Sequence, residues 1–360
     1  MKTRVAVVGS GFGLYGQLPA FQRIPDCEVV GIAGKNTDRL VNYCRQTNVP
    51  VFTDWRTMLD QARPEAIAIA VVPSHQYEIA DEALNRGISV FAEKPLALNL
   101  AQAAALLEKA RVKKVAHMVD FLFPEIPEWR QLKQLIESPA LGQLAAIHAM
   151  WFFRSYDVRN NVHGWKSRPE EGGGAVSFYL SHALHNLEFL GGRIQSLECL
   201  LNHDPDAPGS GETSAELKFK LLSGRTQGAG GTIRFDCANS GFSQHSWEII
   251  GTRGSFILKN ASASFTSGFE LTSLAEGLKI HNPQSAIRNQ DPSVDERVPL
   301  VQSLAERFIA WHRGGPPARP DFSDGVRVQH LIESARSSAK VGGTVNTLDV
   351  VAHAAAGNGH

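Results

Sequence analysis

The stretch Arg4-Val5-Ala6-Val7-Val8-Gly9-Ser10-Gly11-Phe12-Gly13 joins a short apolar run to a glycine-rich segment. The apolar run predicts a buried strand, and the residues that follow, Gly13–Ile24, have helical spacing. Glycines between a strand and a helix permit a tight turn and close approach of the backbone to a phosphate, and the amino end of the helix offers N–H donors. We therefore predict that Gly9–Gly13, including Ser10, Gly11 and Phe12, bind the pyrophosphate of a dinucleotide.

The first 120 residues repeat this alternation of apolar runs and helix-like segments. The predicted strands are Arg4–Val8, Val29–Ala33, Ala66–Val72, Ile88–Glu93 and Lys114–Val119. The predicted helices lie near Gly13–Ile24, Thr37–Thr47, Trp55–Gln61, Tyr77–Arg86 and Leu100–Ala110. Continuous apolar runs are typical of strands covered on both faces of a parallel sheet. Residues 1–120 are therefore predicted to form an α/β domain, a doubly wound Rossmann sheet with its ligand edge at the carboxyl ends of the strands.

The pattern changes after residue 121, where the strand-like runs become longer. They are Leu144–Arg154, Ser196–His203, Ala215–Leu222, Gly231–Cys237, Trp247–Gly251 and Ser255–Leu258. Turn residues such as Thr252-Arg253-Gly254 predict antiparallel neighbours. Helices are predicted at Glu128–Glu137, Ala175–Gly191, Leu300–His312 and Val326–Val341. Residues 121–350 are thus predicted to form an α+β domain with an open, largely antiparallel sheet, and residues 351–360 a flexible tail.

An open sheet with helices on one face leaves its other face for a partner. We therefore expect residues 121–350 to bind the substrate and also to form a homodimer or homotetramer through their sheet.

Composition narrows the class of protein. The 360 residues are 43% hydrophobic and contain 36 basic and 36 acidic side chains, so no overall field favours nucleic acid or an anionic membrane. No apolar run approaches the length of a membrane span or a signal peptide, and Val5–Val8 is far too short. The four cysteines share no metal or redox spacing, so we expect reduced thiols in a cytoplasmic protein and no bound metal.

The end of the second predicted strand bears on the choice of cofactor. An NAD site usually places an acidic residue there to bind the ribose hydroxyls. Here the strand runs into Gly34-Lys35-Asn36, and Arg39 follows within one helical turn. Lys35 and Arg39 can pair with a 2′-phosphate, so we predict NADP, with NAD possible.

Two further strand ends complete the expected cofactor site. Val72 ends the third predicted strand and Pro73, Ser74 and Gln76 follow it, and Glu93 ends the fourth and is followed by Lys94-Pro95. Because the carboxyl ends of parallel strands share one edge, we expect these residues beside the dinucleotide. Lys94 is the candidate acid–base group: oxidising an alcohol requires loss of a proton as hydride leaves carbon, and reducing a carbonyl requires delivery of a proton.

In this order and spacing the motifs resemble those of the Gfo/Idh/MocA oxidoreductases, the family of glucose-fructose oxidoreductase and inositol dehydrogenases. The marks are the glycine turn, Val72-Pro73, Glu93-Lys94-Pro95, Gly172-Gly173-Gly174 followed by His182, and Trp247–Ser255. The resemblance covers nearly the whole chain. It implies that Glu93 and Lys94 close the nicotinamide site and that Lys94 faces both cofactor and substrate.

The resemblance also implies a second catalytic group, His182. The family often has an aspartate four residues before this histidine, but here that position is Phe178. A phenyl ring cannot relay a proton, so a lysine–aspartate–histidine relay is not expected in this chain. The remaining substrate-binding candidates from strand ends and from the loop before the glycines are Asp120, Arg154, Tyr156, Trp165 and Lys166. His185 is a further candidate, because it lies one helical turn after His182 at a position that is often aspartate in the family.

The expected activity is hydride transfer between NADP and a secondary alcohol or carbonyl of a sugar, nucleotide sugar or cyclitol. Several alternatives remain open at this point. They are an NAD-dependent glycosidase-type enzyme with transient oxidation, a tetrapyrrole or dihydrodiol reductase, and a non-catalytic NADP-binding sensor.

Overall fold

The amino-terminal apolar runs form a six-stranded parallel sheet in the computed structural model, which describes residues 1–35, 38–222, 228–239, 241–274, 280 and 294–348. The strands are β1 (Thr3–Val8), β2 (Cys27–Ala33), β3 (Val51–Phe52), β4 (Ala66–Ile69), β5 (Ser89–Ala92) and β6 (His117–Val119). Their order is β3-β2-β1-β4-β5-β6, so the direction of strand addition reverses between β1 and β4. The predicted Rossmann sheet is confirmed, and its ligand edge lies at this reversal.

Helices connect these strands and begin at recognisable caps. They are α1 (Leu18–Gln22), α2 (Asp38–Thr47), α3 (Trp55–Ala62), α4 (Pro73–Asn85) and α5 (Leu100–Lys113). The Asp54 carboxylate accepts from the Thr57 N–H to begin α3, and the Asn99 side chain accepts from the Gln102 N–H to begin α5. A single π-helical turn, Gly13–Gln17, precedes α1.

The predicted boundaries differ from the structure where a cap takes over from a strand pattern. The apolar run 66–72 leaves the sheet after Ile69, because Val72 is the N-cap of α4 and Pro73 its first residue. Lys114 has a positive φ of 54° and ends α5, so β6 begins three residues later than predicted, at His117. β3 was not predicted, since two residues carry no periodicity.

The second sheet has eight strands and is mixed but mostly antiparallel. They are β7 (Leu144–Phe152), β8 (Ile194–Asn202), β9 (Ser214–Leu221), β10 (Gly230–Asp236), β11 (Gln244–Gly251), β12 (Ser255–Asn260), β13 (Glu270–Ser273) and β14 (Val345–Asn346). The order is β13-β12-β11-β7-β10-β9-β8-β14, and the pair β7–β10 is parallel. The predicted antiparallel neighbours β9–β10 and β11–β12 are confirmed.

The remaining helices are α6 (Pro127–Glu137), α7 (Tyr156–Arg159), α8 (Ser181–Gly191), α9 (Val298–His312) and α10 (Phe322–Val341). α6 packs against β12, β13 and α8. On this face of the sheet His245 stacks on Trp151 with ring centroids 4.5 Å apart, and its Nε2 accepts a 2.9 Å hydrogen bond from Trp247 Nε1. Strand alternation places His148, Met150 and Phe152, all half-buried, on the other face.

Over the described residues the chain divides into two compact units. The first comprises Met1–Leu122 and Ile287–Val326, and the second Phe123–Ala286 and Arg327–His360. The first unit therefore includes α9, which the sequence pattern had placed with the second domain. The reason is packing: the Phe308 ring of α9 lies 5.7 Å from the Phe91 ring of β5, and the Phe91 ring lies 5.6 Å from that of Phe21 in α1.

No helix among the described residues is long and apolar enough to cross a membrane. The four cysteines are free and buried, and burial raises the pKa of Cys27, Cys199 and Cys237 to about 12. Within the described ranges, no three His, Cys, Asp or Glu side chains cluster in a way that could hold a metal ion.

Candidate active site

The glycine turn after β1 has the shape that a dinucleotide requires. Gly9 has φ +135°, and a Cβ there would lie 2.2 Å from the Ala70 carbonyl oxygen, so only glycine is accommodated. A Cβ added at Gly11 would meet no atom of the described residues within 4 Å, which leaves open space beside the Gly11 backbone. This combination of a forced turn and an open approach fits the pyrophosphate of a dinucleotide.

A row of aromatic and cationic side chains borders this turn. The Arg297 guanidinium lies 4.2 Å from the centroid of the Phe12 ring, Phe12 packs edge-on against Tyr15 at 6.0 Å, and Arg39 lies 5.2 Å from the Tyr15 ring. Arg297 is held by Asp295 through two hydrogen bonds of 2.8 and 2.7 Å. Arg297 was not predicted, because nothing in the sequence pattern before α9 connects it with a turn near the amino terminus.

The end of β2 presents the residues expected to select the cofactor. Lys35 is exposed, and Arg39 lies in the first turn of α2 beside Tyr15. Asp38 also lies in that turn. Asn36, the third predicted residue, lies outside the described residues.

The turn after β5 is built by a side chain of α4. Gln76, 1% exposed, donates through Nε2 to the carbonyl oxygens of Glu93, Pro95 and Leu96 at 2.7, 3.0 and 3.0 Å. The Glu93 carboxylate accepts the Lys94 N–H at 2.8 Å, and the Lys94–Pro95 peptide is cis. Lys94 is thereby fixed at the ligand edge with 8% of its surface exposed. Of the other predicted residues on α4, Pro73 is buried, and Val72 and Ser74 are half-buried.

A second carboxyl group lies on the neighbouring strand. Ala92 pairs with Val119 in register, so Glu93 and Asp120 are the next residues of adjacent parallel strands. Asp120 is fully buried, and its N–H donates to the Ala92 carbonyl at 2.9 Å. Burial, together with the Glu93 charge, raises the pKa of Asp120 well above its usual range, and the charges of Arg297 and Lys94 oppose this. Burial also raises the pKa of Glu93, against the opposing charge of Lys94.

Within the triple glycine of the second unit, Gly173 and Gly174 leave no room for a side chain. A Cβ on Gly173 would lie 2.1 Å from the Trp165 carbonyl oxygen, and one on Gly174, where φ is +92°, would lie 2.6 Å from the Glu212 carboxylate. Arg336 binds both sides of this contact, donating to Glu212 Oε1 at 2.7 Å and to the Gly173 carbonyl at 2.9 Å. The turn therefore holds the preceding Trp165 loop in a defined position.

The structure brings two of the predicted substrate residues together at Phe178. The Trp165 ring packs edge-on against Phe178 with centroids 5.3 Å apart, and the Lys166 ammonium lies 4.7 Å from the Phe178 centroid. Asp157 Oδ2 is 3.9 Å from Lys166 Nζ. The departure from an acidic residue at 178 thus creates an aromatic surface for a cation.

The remaining candidates in this unit have different surroundings. A π-helical turn, Val176–Leu180, leads into α8, where His182 is 9% exposed with its ring 5.2 Å from that of Phe123. His185 is half-buried one turn later. Tyr156 is 64% exposed, and Arg154 is an exposed residue bridged through its backbone to Ala238.

Comparison with known proteins places this arrangement in a family. A model described as the oxidoreductase family, NAD-binding Rossmann fold, matches residues 3–121, and one of the GFO/IDH/MocA C-terminal domain matches residues 129–257. An uncharacterized oxidoreductase of Synechocystis sp. is 25% identical over 349 residues, covering 93% of each chain.

Two further relatives have named activities. A dTDP-3,4-didehydro-2,6-dideoxy-alpha-D-glucose 3-reductase of Streptomyces violaceoruber is 23% identical over 359 residues, covering 93% of this chain and 95% of the relative. A solved levoglucosan dehydrogenase in complex with NADH and L-sorbose has a TM-score of 0.80 at 20% identity, covering 98% of this chain and 100% of that one. The solved structure shows the shared fold, and the family models cover both units. The chain therefore belongs to the GFO/IDH/MocA family of oxidoreductases.

Proposed function

We propose that this oxidoreductase transfers a hydride between NADP and a secondary alcohol or carbonyl of a sugar, nucleotide sugar or cyclitol. The observation that carries the proposal is the buried Lys94, held at the ligand edge by the Glu93 carboxylate and, through the turn, by Gln76. The Glu93–Leu96 turn around Lys94 is fixed by hydrogen bonds from the buried Gln76 amide to three carbonyl oxygens, and a lysine on an exposed surface would not require such a turn.

The chemistry follows from the position of this amine. A bound nicotinamide cofactor would supply or accept the hydride. The chain's own task is to move the hydroxyl proton: in oxidation Lys94 Nζ takes the proton as the carbon–hydrogen bond breaks, and in reduction it returns one to the carbonyl oxygen. His182 is proposed as a second group that contacts the substrate oxygen.

A sugar-like substrate is supported by the Trp165 loop and by the named relatives. Indole rings pack well against the apolar face of a pyranose, and Lys166 is suited to bind a hydroxyl, carboxylate or phosphate. The two relatives are named for their action on a nucleotide sugar and on levoglucosan. Arg154, Tyr156 and His185 stay proposed substrate contacts, whereas Asp120 is fully buried and no direct contact with the substrate is proposed for it.

NADP is proposed over NAD because Lys35 and Arg39 both follow β2, where a 2′-phosphate would lie. Asp38 lies between them and opposes such a phosphate. The neighbouring levoglucosan dehydrogenase was solved with NADH. Binding isotherms with both cofactors decide the matter: we expect NADP(H) to bind more tightly, and a ten-fold preference for NAD(H) would reject this part of the proposal.

We further propose a homodimer or homotetramer through the face of the second sheet that carries Met150 and Phe152. On this face Phe152 lies 5.5 Å from Phe242, and Phe242 is 50% exposed. Exposed aromatic surface on a broad sheet is typical of a subunit interface.

A screen of free sugars, sugar acids, nucleotide sugars and cyclitols with both cofactors tests the function. Nicotinamide absorbance at fixed enzyme concentration should change with at least one compound, in the oxidative or the reductive direction. Saturable binding of cofactor with no change for any of these compounds would contradict the proposal. Cleavage of a glycoside with no net absorbance change would instead identify transient oxidation.

A further inference from the structure

Two polar side chains at the carboxyl edge of the first sheet are fully buried. Asp120 and Gln17 are both 0% exposed. Among the described residues, no partner meets strict hydrogen-bond geometry at either carboxylate oxygen of Asp120 or at either amide atom of Gln17, although the Gln17 amide lies close enough to stabilise the Asp120 carboxylate. Buried polar groups are nearly always paired, so such a couple calls for an explanation.

The fold places Asp120 beside the turn that carries Lys94. β5 and β6 are in register at Ala92 and Val119, and the Asp120 N–H is bonded to the Ala92 carbonyl. Asp120 is therefore the cross-strand neighbour of Glu93, the residue before Lys94. The π-helical turn Gly13–Gln17 brings Gln17 into the same buried region from the glycine turn.

The charges around Asp120 favour its protonated form. The groups that act on it are the Glu93 carboxylate, the Arg297 guanidinium, which Asp295 already neutralises, the Lys94 ammonium and the neutral Gln17 amide. Burial and Glu93 outweigh the cations and hold the pKa of Asp120 far above that of an exposed carboxyl. A protonated carboxyl also supplies a donor that Gln17 Oε1 can accept, whereas a carboxylate can only accept.

We propose that Asp120 holds an exchangeable proton and acts through Lys94, as a positioning residue that restores the protonation state of the lysine after each turnover. This inference rests on the proposed function, in which Lys94 is the acid–base group. It assigns to Asp120 a role other than direct substrate contact, since a side chain with no exposed surface reaches the substrate only through a neighbour.

The step is balanced in both directions. In reduction, hydride adds to the carbonyl carbon and the Lys94 ammonium gives one proton to the oxygen, leaving a neutral amine. The Asp120 O–H bond then breaks, its proton forms a new N–H bond on Lys94, and the carboxylate regains a proton from water. In oxidation the same bonds form and break in reverse, and the proton released by the substrate hydroxyl leaves through Asp120 to water.

The test compares Asp120→Asn with Asp120→Glu. Asparagine preserves shape but carries no exchangeable carboxyl proton, so kcat should fall on the order of 10²-fold while KM and the cofactor Kd change less than about two-fold. Glutamate keeps the carboxyl and should recover part of the rate. Asp324→Asn is the matched control, because burial raises the pKa of that carboxyl too, and it lies in α10. It should leave kcat unchanged.

A double variant separates action through Lys94 from a general structural effect. In the Lys94→Ala background, Asp120→Asn should cause no further loss, since the group on which Asp120 acts is gone. Losses that multiply would overturn the inference, as would full kcat in Asp120→Asn alone. If asparagine at 120 prevents folding, Asp120→Ser takes its place in the same comparison.

Infrared spectroscopy provides a readout that does not depend on turnover. At neutral pH the wild-type protein should show a protonated carboxylic acid band that Asp120→Asn lacks, and identical spectra would overturn the inference. Failure of the proposed function would appear differently, as absence of turnover by the wild type with every compound of the screen while this band is present.

Discussion

At the scale of single residues, the candidate site depends on side chains that support Lys94 rather than on Lys94 itself. Gln76 was expected from sequence to contact the cofactor, and its amide nitrogen is instead occupied by three carbonyl oxygens of the Glu93–Leu96 turn. A helix-borne amide of this kind fixes a lysine in a way that no local sequence pattern reveals.

Gln76→Ala should lower both the unfolding free energy of the protein and its turnover rate. Three buried carbonyl oxygens lose their donor, which costs about 1–3 kcal/mol of unfolding free energy, and a displaced Lys94 lowers kcat. Thermal unfolding and steady-state kinetics measure the two effects. Gln102→Ala, in the first turn of α5, is the control and should change neither by much. Wild-type stability and rate in Gln76→Ala would show that the Glu93–Leu96 turn keeps its conformation without the Gln76 side chain.

The buried environment of His245 predicts that the unfolding free energy of the protein depends on pH. Burial among tryptophan and phenylalanine rings lowers the pKa of His245 from 6.5 to about 3. Burial lowers the pKa of His117 in the first unit to about 4, although Asp321 opposes it. Both imidazoles are therefore neutral in the folded protein at about pH 5, whereas in the unfolded chain they take up protons below about pH 6.5.

The contribution of these two histidines to the unfolding free energy is accordingly fully present above about pH 6.5 and falls as the pH is lowered toward their folded-state pKa values. Each histidine contributes a slope of at most about 1.4 kcal/mol per pH unit. Urea unfolding at about pH 7.5 and about pH 5, followed by tryptophan fluorescence, measures this. In His245→Gln the drop between the two pH values should be smaller than in the wild type, and an unchanged drop would contradict the assignment.

At the scale of elements, the sequence predicts most of what local periodicity determines. The alternating runs and glycine turns locate most strands of both sheets and the main helices to within a few residues, because the buried face of each element is written into its own segment. Lys94 could also be predicted from local sequence, because it lies directly after the end of a strand.

Features that depend on distant segments could not be predicted in this way. Arg297 joins the glycine turn from the segment before α9, Gln17 meets Asp120 across the sheet edge, and β7 pairs in parallel with β10, three strands later in the chain. Residue identity in each segment is compatible with several partners, and only packing in three dimensions selects one.

The surroundings of the triple-glycine turn predict that two glycine-to-alanine variants lose different amounts of stability. Gly174→Ala combines a left-handed backbone with a clash against the Glu212 carboxylate, whereas Gly192→Ala has a similar φ of +89° and a Cβ that would meet no described atom within 4 Å. Backbone strain alone costs about 1–3 kcal/mol, so both variants should be less stable, and Gly174→Ala the more so. Chemical denaturation compares them. Equal losses would mean that Glu212 moves aside without cost.

At the scale of the whole molecule, the second sheet has a face opposite the one on which α6 packs. Its half-buried residues include His148, Met150 and Phe152, opposite the buried Ile147, Ala149 and Trp151 of the same strand. This alternation is typical of an antiparallel sheet that packs one face on the core and leaves the other uncovered.

Light scattering should therefore give the mass of a dimer or tetramer. Met150→Glu places a charge in the middle of this face and should shift the protein toward the monomer, because a buried unpaired charge is costly. Glu108→Lys, at an exposed position on α5 of the first unit, serves as the control. A monomeric mass for the wild type at micromolar concentration would reject the proposed assembly.

The acid–base role of Lys94 is tested by the pre-steady-state and steady-state hydride transfer of Lys94→Met, measured by nicotinamide absorbance with a substrate found in the screen. Methionine keeps nearly the length of the side chain and removes the amine. We expect kcat to fall by about 10²- to 10⁴-fold while the cofactor Kd stays within about two-fold of the wild type. Turnover at the wild-type rate would show that a group other than Lys94 moves the proton.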